Sequence, residues 1–408
     1  MTGGDGKRTS SGSLGTRESL TSLLEHDPHD WQSALDRRYA VLDDVLAGQR
    51  DAVVYPAARL GREVAGRLRS LGVRIVAFGD RDPASHDGQI DGIPVLSAAQ
   101  IATRHHADVI LVSSTMYDSM IREDLESRGC EFVVPVGSLN LRLPDVFTTR
   151  EYDGAWSAAA NPANRTDIEG AFALLGDVQS RMVFEGKLAY YLGRDKTRLD
   201  DIRSDATIYF DRSVYDLIEG EAVVDGGAFV GDTLAAFLDA SGGHFRSYAA
   251  FEPDPASFER LAFVAARDPA RIAAVQAGLA EHTSKGRLLS TQGADSRFLG
   301  AEESGGDSVP LVSLDDYFEG RGAPTLIKMD IEGAEASAIQ GAAGLLGSVS
   351  PIMAISAYHF PTDLWKIPLL LQEFLPTSRI YLRHYTREVD DTVCYAIPAG
   401  RPTLTSSN

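Results

Sequence analysis

Short apolar runs alternate with helical patterns in two regions of the chain, residues 31–147 and residues 221–400. Runs of β-branched residues bounded by turn residues predict strands, and apolar residues at three- and four-residue spacing predict helices. Strands that alternate with helices form parallel sheets with right-handed crossovers. The pattern therefore predicts an α/β protein with two Rossmann-like parallel-sheet domains.

The first region begins with an amphipathic helix, and a complete α/β pattern follows it. The helix spans residues 31–47, with apolar residues at helical spacing. The predicted strands are 52–55, 73–78, 93–96, 108–112 and 132–135, and the predicted helices between them are 59–70, 98–105 and 117–128. Residues 1–30 precede this domain as a predicted disordered tail, because the first 15 are rich in Gly, Ser and Thr and lack an apolar core of a signal peptide.

A segment of about 70 residues, 148–220, links the two sheets. Its first part, 153–165, is rich in Ala, Asn and Pro and is predicted to be a loop. Residues 167–192 carry apolar positions close to the helical period, which predicts one long helix. Residues 205–217 are aromatic and lead into the second sheet.

The second region repeats the α/β pattern, and two features interrupt it. Residues 286–290 and 309–312 are strand-like and predict a surface hairpin between the third and fourth strands. The chain ends in a predicted antiparallel hairpin. The predicted main strands are 222–225, 247–251, 272–277, 325–329, 352–356, 380–385 and 393–397, and two of the helices are 232–240 and 334–346.

The first strand of the second region runs into an acid and a glycine-rich turn. Asp225 is followed by Gly227 and, four residues later, by Gly231. Glycines at such a turn let a ligand approach the backbone and leave amide groups free to meet it. The spacing differs from the dinucleotide fingerprint G-x-G-x-x-G, and it resembles motif I of the class I S-adenosylmethionine (SAM) methyltransferases.

The next strands add acids at their carboxyl ends, where an open α/β sheet binds its ligands. Glu252 ends the second strand and is predicted to meet ribose hydroxyls. Asp330, Glu332 and Glu335 follow the fourth strand. Acids in the first turn of a helix offset its dipole, which accounts for Glu335 but not for Asp330, which precedes the helix.

Several blocks in the same order resemble the FkbM-type methyltransferases. They are D-G-G-A-F-V-G-D-T (225–233), F-E-P (251–253), S-L-D-D-Y-F (313–318), I-K-M-D-I-E-G-A-E (327–335), S-A-Y-H-F-P-T-D-L-W-K-I-P (356–368) and L-R-H-Y-T (382–386). The resemblance covers about residues 165–398. It implies a class I SAM methyltransferase fold over 221–400 and SAM-dependent O-methylation, commonly of sugars or secondary metabolites. The cofactor-binding residues it implies are Asp225, Gly227, Gly231, Glu252 and Asp330.

The acceptor side of the site has more than one interpretation. In proteins of this kind the segment before the first strand leads to the active site, so Tyr209, Phe210 and Tyr215 either line the substrate pocket or belong to the core. Ser296 in the hairpin and His384 at the end of the last hairpin strand are further substrate-binding candidates, because loops on a rigid scaffold commonly carry specificity.

A hydroxyl acceptor needs a base, and two kinds of chemistry compete for that task. His359 follows the fifth strand and is expected at the same edge as Asp330, which is the second catalytic candidate. We favour His359 as the general base, with a pKa near its reference value of ~6.5. The alternative is a divalent cation held by Asp330 and Glu332, which is not favoured because two acids supply few of the oxygens that such an ion needs.

The N-terminal sheet has an altered glycine turn. Where a dinucleotide-binding domain would show G-x-G-x-x-G, this chain has Pro56, Ala58 and Gly61, although Asp80 still ends the second strand. Proline removes an amide donor, and alanine adds a Cβ where a phosphate needs room. We therefore expect a degenerate fold. An NAD(P)-linked oxidoreductase that uses this sheet and a non-catalytic binding or scaffold protein are the alternative functions.

Composition narrows the class of protein further. The 408 residues carry a net charge of −19, which argues against nucleic-acid binding, and no apolar run approaches the length of a membrane span. The two cysteines form no metal-type spacing and predict reduced thiols in a cytoplasmic protein. The expected partner is a small-molecule or sugar acceptor, and homo-oligomerisation is left open.

Overall fold

This computed structural model contains two large, mainly parallel sheets flanked by helices and one small four-stranded sheet. The structure describes residues 19–25, 28–114, 117–143, 146–147, 155–193, 197–289, 297–298 and 305–401. The predicted fold class is confirmed: both sheets are dominated by parallel pairs, and the C-terminal sheet ends in an antiparallel hairpin.

The strands are numbered in chain order. They are β1 Ala52–Tyr55, β2 Ile75–Gly79, β3 Gln89–Ile90, β4 Ile93–Leu96, β5 Val109–Val112, β6 Phe132–Pro135, β7 Ala222–Gly226, β8 Ser247–Phe251, β9 Ile272–Val275, β10 Gly278–Leu279, β11 Ser284–Leu289, β12 Arg297–Phe298, β13 Asp307–Val312, β14 Leu326–Met329, β15 Ile352–Ser356, β16 Arg379–His384 and β17 Thr392–Ile397.

The helices are numbered in the same way, and short 3-10 turns lie at Pro83–His86, Val136–Leu141 and Pro162–Asn164. They are α1 Leu20–Glu25, α2 Pro28–Arg38, α3 Val41–Leu46, α4 Arg59–Ser70, α5 Ala98–Arg104, α6 Asp118–Ser127, α7 Ala155–Ala160, α8 Arg165–Ala173, α9 Val178–Gly193, α10 Thr197–Asp200, α11 Asp232–Ala240, α12 Pro255–Ala265, α13 Leu314–Phe318, α14 Glu335–Gln340, α15 Ala343–Ser348 and α16 Asp363–Phe374.

The N-terminal sheet has the strand order β3-β4-β2-β1-β5-β6, and only the two-residue β3 runs antiparallel to its neighbour. The central strands β1 and β5 are buried along their whole length, as expected for parallel strands covered by helices on both faces. The predicted bounds of β1, β4, β6 and α4 agree with the structure to the residue.

The C-terminal sheet has the order β16-β17-β15-β14-β7-β8-β9. From β7 the chain winds through β8 and β9 to one side, and from β14 it winds through β15 to the other. The winding therefore reverses between β7 and β14, and an open sheet of this kind binds its ligand at the carboxyl ends of the two strands that flank the reversal. This topology sets the position of the site.

The hairpin predicted between the third and fourth strands is present. β11 and β13 pair antiparallel from Ser284↔Leu311 to Leu288↔Asp307, and β10 and β12 extend them into a small four-stranded sheet. Leu288 of this sheet reaches the wall of the main cavity. The hairpin is therefore part of the site's surroundings.

The single helix predicted over residues 31–47 is wrong, since the chain forms α2 and α3 with a turn at Tyr39–Ala40. Leu35, Tyr39 and Leu42 are buried in one core cluster on the N-terminal sheet. The apolar spacing continues across the turn because both helices pack on the same core. Periodicity therefore could not reveal the break.

The helix predicted over residues 167–192 is also two helices, α8 and α9. Between them Gly176 N donates to Ile380 O (2.8 Å), so that the chain bonds to the edge strand β16. Asp177 then starts α9 by accepting a hydrogen bond from Ser180 N (2.7 Å). An Asp three residues before Ser at a Gly-Asp pair is a helix-start signal that the sequence already carried.

Two further expectations are corrected. The loop predicted over residues 153–165 contains α7 and a 3-10 turn in its described part, because the alanine run favours a helix. The helix predicted over residues 334–346 breaks at Gly341 into α14 and α15. A Cβ at Gly341 would lie 2.1 Å from Ala280 O, so this glycine allows a close backbone approach.

The two sheets are joined by contacts between α6 and the loop at residues 385–391. Ser119 N donates to Glu388 Oε1 (3.0 Å) in a buried contact. Arg387 bonds both Glu123 of α6 and Asp200 of α10. Across the described residues, none of the helices has the length and apolar character needed to cross a membrane.

Candidate active site

A cavity of about 320 Å³ opens at the carboxyl ends of β7, β8 and β14, where the winding of the sheet reverses. Its wall includes the glycine turn after β7, the acid after β8 and the acids after β14. The sequence predicted that these three segments meet. The structure brings Gly227, Glu252 and Asp330 to one cavity.

The glycine turn needs glycine for steric reasons. Gly227 has φ +72, and a Cβ there would lie 1.8 Å from Asp330 O. Gly231 has φ +91 and starts α11. Phe229 between them also has a positive φ, 45, and lines the cavity. The turn therefore packs its backbone against the tip of β14 and exposes a short, fixed segment to the cavity.

Glu252 is held by the backbone on both of its oxygens. Oε2 accepts from Phe229 N (2.9 Å), and Oε1 accepts from Asp254 N (2.8 Å). Burial raises the pKa of Glu252 to about 7, although these two hydrogen bonds oppose the shift. The carboxyl group is thus fixed on the cavity wall with lone pairs left for a diol.

Asp225 does not face the cavity. It is fully buried under the glycine turn, where its carboxylate lies 2.8 Å from Lys328 Nζ and accepts a hydrogen bond from Tyr248 OH (2.7 Å). Lys328 Nζ also donates to Gly226 O and Gly227 O. The expected direct contact of Asp225 with the cofactor is therefore wrong. Asp225 pairs with Lys328, and Lys328 donates hydrogen bonds to the backbone of the glycine turn.

Lys328 is a residue that the sequence analysis missed. Burial lowers the pKa of this lysine, but the charges of Asp225 and Asp330 outweigh burial and raise it. The ammonium lies 5.1 Å from the centre of the Tyr209 ring. The sequence did carry a signal for this residue, because Lys328 lies on an otherwise apolar strand two residues before Asp330. A lysine is rarely buried without a partner.

Asp330 collects polar contacts from three directions. It accepts hydrogen bonds from Tyr209 OH (2.8 Å) and Tyr358 OH (2.9 Å), and His359 Nε2 lies 3.4 Å from its Oδ1. Burial alone would raise the pKa of Asp330, but His359, Lys328 and the two tyrosines together lower it. Asp330 is therefore an ionised carboxylate on the cavity wall.

His359 lies behind Asp330, and its side chain is 6% exposed. Nδ1 is 3.0 Å from Glu335 Oε1, and Nε2 is 3.9 Å from Glu332 Oε2. Burial lowers the pKa of His359, but the charge and hydrogen bonding of Glu335, together with Asp330 and Glu332, raise it to about 10. The expected pKa near 6.5 is therefore wrong, and so is the assignment of Glu335 to the helix dipole alone.

Asp330, Glu335 and His359 also form the one group of possible metal ligands found among the described residues, with ligand atoms within 4.8 Å of one another. Each ring nitrogen of His359 faces a carboxylate oxygen, and the ring carries the counter-charge. We interpret the group as an acid–imidazolium–acid arrangement. Glu332, which the sequence paired with Asp330 as a possible cation ligand, is not a member of this group.

Of the predicted substrate-binding residues, Tyr209 lines the cavity and the others in the described part of the chain do not. Phe210 packs on Phe237 in the core, and Tyr215 donates its hydroxyl hydrogen bond to Tyr209 O (2.6 Å). His384 is fully buried with Nδ1 2.9 Å from Thr392 Oγ1. The substrate-binding role expected for three residues is therefore wrong, and the structure places Phe210, Tyr215 and His384 in the core. Ser296 lies outside the described residues.

The N-terminal sheet shows different surroundings at its own glycine turn. A Cβ at Gly61 would lie 2.1 Å from Pro56 O, so the helix packs tightly on the turn. Asp80 accepts from Asp82 N (3.0 Å) and lies 3.2 Å from His86 Nε2. The acid that would bind a ribose is thus engaged by its own loop.

Comparisons with known proteins agree with this architecture. Residues 225–391 match the family model of the methyltransferase FkbM domain, which confirms the resemblance seen in the sequence. The crystal structure of methyltransferase FkbM from Methylobacillus flagellatus is 24% identical, with a TM-score of 0.71, and the match covers 91% of this chain and 100% of that one. A match over 91% of this chain includes the N-terminal sheet, so the similarity of fold extends across both large sheets.

Two further solved structures match a smaller part of the chain. Fibrillarin from Aeropyrum pernix, in complex with SAM, is 15% identical over 44% of this chain and 67% of that one, with a TM-score of 0.30. A putative rRNA methylase from Clostridium thermocellum is 13% identical over 46% of this chain and 92% of that one, with a TM-score of 0.29. Among curated proteins, none matches this sequence.

Proposed function

We propose that this chain, in which residues 225–391 form a methyltransferase FkbM domain, uses SAM to methylate a hydroxyl group of a sugar, a glycan precursor or a secondary metabolite. The observation that carries the proposal is Glu252, fixed by two backbone hydrogen bonds on the wall of the cavity beside the glycine turn. A carboxylate at the tip of the second strand is where a parallel α/β sheet meets ribose hydroxyls.

The residues around the cavity fit SAM. The glycine turn leaves its backbone at the cavity, and Glu252 offers acceptors to a ribose diol. Acids on the same wall, among them Asp232, Asp330 and Glu332, give it a negative potential that favours a cation. When bound, SAM supplies a methyl group on a positively charged sulfonium, which is already an activated leaving group.

The acceptor side of the site is polar and its residues are fixed. Tyr209 OH and Asp330 lie together on the cavity wall, and a hydroxyl acceptor would find both a donor and an acceptor there. With a pKa of about 10, His359 is an imidazolium at neutral pH, and its place beside Asp330 supports a positioning role. Its assignment as the general base is therefore replaced.

The proposed location is the cytoplasm. Cys130 and Cys394 are free and buried, which fits a protein that keeps its thiols reduced. The burial raises the pKa of Cys130, so this thiol is a poor nucleophile. Neither cysteine takes part in the proposed chemistry.

Incubation of the protein with methyl-labelled SAM and a deproteinised cell extract tests the function. Mass spectrometry should find a small molecule that gains one labelled methyl group in the presence of the wild-type protein. Asp330→Asn should give ~100-fold less product, because it weakens the hydrogen bonds from Tyr209 and Tyr358 that fix the acceptor side of the site. Labelled products that contain N-methyl or S-methyl groups only would contradict the O-methyl assignment.

A further inference from the structure

We infer that Asp391 accepts the proton of the acceptor hydroxyl during methyl transfer. The inference rests on the proposed function and names a residue in the loop after β16 that the sequence analysis did not consider. Asp391 lines the cavity together with Tyr209, Asp330 and Glu332.

The carboxyl group of Asp391 is available to a ligand. In the described part of the chain it takes part in no hydrogen bond or ion pair, while its backbone oxygen accepts from Tyr385 N (3.1 Å). Its φ is +56, an unusual value for a residue with a Cβ.

The contacts that fix this loop are strong. Buried Lys187 donates to Val389 O (2.6 Å), and Ser119 N of the N-terminal sheet's α6 donates to Glu388 Oε1. Asp391 therefore lies two residues from a backbone atom held by a buried ammonium. Three segments that are distant in sequence together set the position of this carboxyl group.

The other ionisable groups of the site are poorly suited to accept a proton. Asp330 already accepts two tyrosine hydrogen bonds, which together with His359 lower its pKa. His359 lies behind Asp330 between acids and is protonated at neutral pH. Glu332 lies 3.9 Å from the ring of that imidazolium. The carboxyl group of Asp391, by contrast, forms no ion pair with His359 or Lys187 among the described residues, and these two cations act on it only through their charges.

The groups that surround Asp391 shift the pKa of its carboxyl group. Asp330 faces it from β14, Asp390 from its own loop, His359 from the segment after β15 and Lys187 from α9. The hydroxyls of Tyr209 and Tyr358 are also near enough to sense its charge. Burial, followed by the charges of Asp330 and Asp390, raises the pKa of Asp391 to about 7, against His359 and Lys187, which lower it. A base is most effective when its pKa is near the working pH.

The transfer balances with this residue as the base. The acceptor oxygen forms a bond to the methyl carbon, and the carbon–sulfur bond breaks with its electron pair left on sulfur. The hydroxyl proton passes to the Asp391 carboxylate, which later releases it to water. No oxidant or metal is required by this balance.

A proton count on binding tests the inference without a known acceptor. A nearby sulfonium favours the ionised form of Asp391, so SAM binding should release protons, whereas S-adenosylhomocysteine, which is the neutral thioether with the same ribose, should release fewer. Calorimetry at pH 7 in buffers of different ionisation enthalpy measures the number of protons released on binding. SAM should release up to about 0.5 proton more than S-adenosylhomocysteine, and this difference is the excess. A group with a pKa of about 7 is half protonated at that pH. Subtracting the proton count measured with S-adenosylhomocysteine removes the protons that Glu252 releases on contact with the ribose, because both ligands carry that ribose.

Variants of single acids test whether the excess proton comes from Asp391. Asp391→Asn should bind SAM but lose the excess, and it should lose at least ~100-fold of the labelled product formed in cell extract. Glu259→Gln, which removes an acid from the exposed face of α12 outside the cavity, should keep the excess. If Asp391→Asn fails to fold by circular dichroism, Asp391→Gly is the second variant, because glycine adopts the φ of +56 without strain, and it should lose the excess as well.

The outcomes are distinguishable. An equal proton count for both ligands, or an excess that persists in Asp391→Asn, overturns the role of Asp391 and leaves the proposed function standing. Failure of the wild-type protein to bind either ligand overturns the proposed function itself.

Discussion

At the scale of single residues, three acids at or beside this site are paired with cations and one is held by the backbone. Asp225 meets Lys328, and Glu335 and Asp330 meet His359. Glu252, by contrast, is held by two backbone amides. The sequence located Glu252 and Asp330 because they end strands, but it could not show which acids are paired. Pairing depends on Lys328 and His359, whose partners are distant in sequence.

The pair of His359 and Glu335 leads to a residue-scale prediction. His359 should titrate near 10 in the folded protein, and Glu335→Gln should move its pKa towards the reference value of ~6.5. Because the folded-state pKa is raised, the stabilisation is complete below pH ~6.5 and is lost as the pH rises to about 10. NMR titration of the His359 ring, with denaturation from pH 6 to 10, measures both effects.

Glu332→Gln provides the comparison for this prediction. Glu332 lies 3.9 Å from His359 Nε2, farther than Glu335 from Nδ1, so its loss should shift the histidine less. A His359 that titrates near 6.5 in the wild-type protein would contradict the account and would restore the histidine as a candidate base.

At the scale of elements, the sequence predicted strands and isolated helices well. α4, α11, β8 and β15 have the predicted bounds, since each is a single periodic run between clear turn residues. The breaks between α2 and α3 and between α14 and α15 were missed. At those points the apolar spacing continues across the break, and only tertiary contacts, such as that of Gly341 with Ala280, require the interruption.

The glycine turn gives an element-scale prediction. Gly227→Ala places a Cβ 1.8 Å from Asp330 O at φ +72, and the turn must shift. We expect this variant to lose SAM binding and to unfold at a lower temperature. Gly220→Ala is the matched control, because its φ is +81 but nothing lies within 4 Å of the added Cβ. That control should cost only the ~1 kcal/mol of the left-handed backbone.

Calorimetry and thermal unfolding of both variants decide the matter. Equal losses in Gly227→Ala and Gly220→Ala would mean that backbone strain alone, and not the approach to β14, makes the glycine necessary.

The loop at residues 385–391 gives a second prediction at this scale. Glu388→Ala leaves the buried Ser119 N–H without this acceptor and should lower the unfolding free energy by ~1–3 kcal/mol. Arg387→Ala removes two exposed ion pairs, with Glu123 and Asp200, from the same loop and should cost less than ~1 kcal/mol. Urea denaturation measures both, and a larger loss for Arg387→Ala would contradict the proposed anchoring of the loop.

At the scale of the whole molecule, two similar sheets have different surroundings at their ligand-binding edges. The C-terminal edge carries a cavity with Glu252 and Asp330 on its wall. At the N-terminal edge, Pro56 stands at the turn and Asp80 bonds within its own loop. The replaced glycines predicted the altered turn, whereas the bonding of Asp80 within its own loop was not predicted. The role of α6 in holding the cavity loop could not be predicted, because it depends on how the two sheets pack together.

The N-terminal sheet gives a whole-molecule prediction. With saturating SAM present to fill the C-terminal cavity, titration of the full chain with NAD or NADP should show no saturable binding. The physical reason is the missing amide at Pro56 and the engaged carboxylate of Asp80. A saturable calorimetric isotherm, or formation of NADH with any extract component, would support the oxidoreductase alternative instead.

Calorimetric titration with SAM tests the central claim most directly. The wild-type protein should bind SAM with a dissociation constant in the micromolar range, on the order of −8 kcal/mol. Glu252→Ala should bind far more weakly, because it removes the acceptor for the ribose hydroxyls, while Glu259→Ala on the exposed face of α12 should bind like the wild type. Equal affinity of Glu252→Ala and the wild type would contradict the ribose role, and absence of SAM binding in the wild type would contradict the account as a whole.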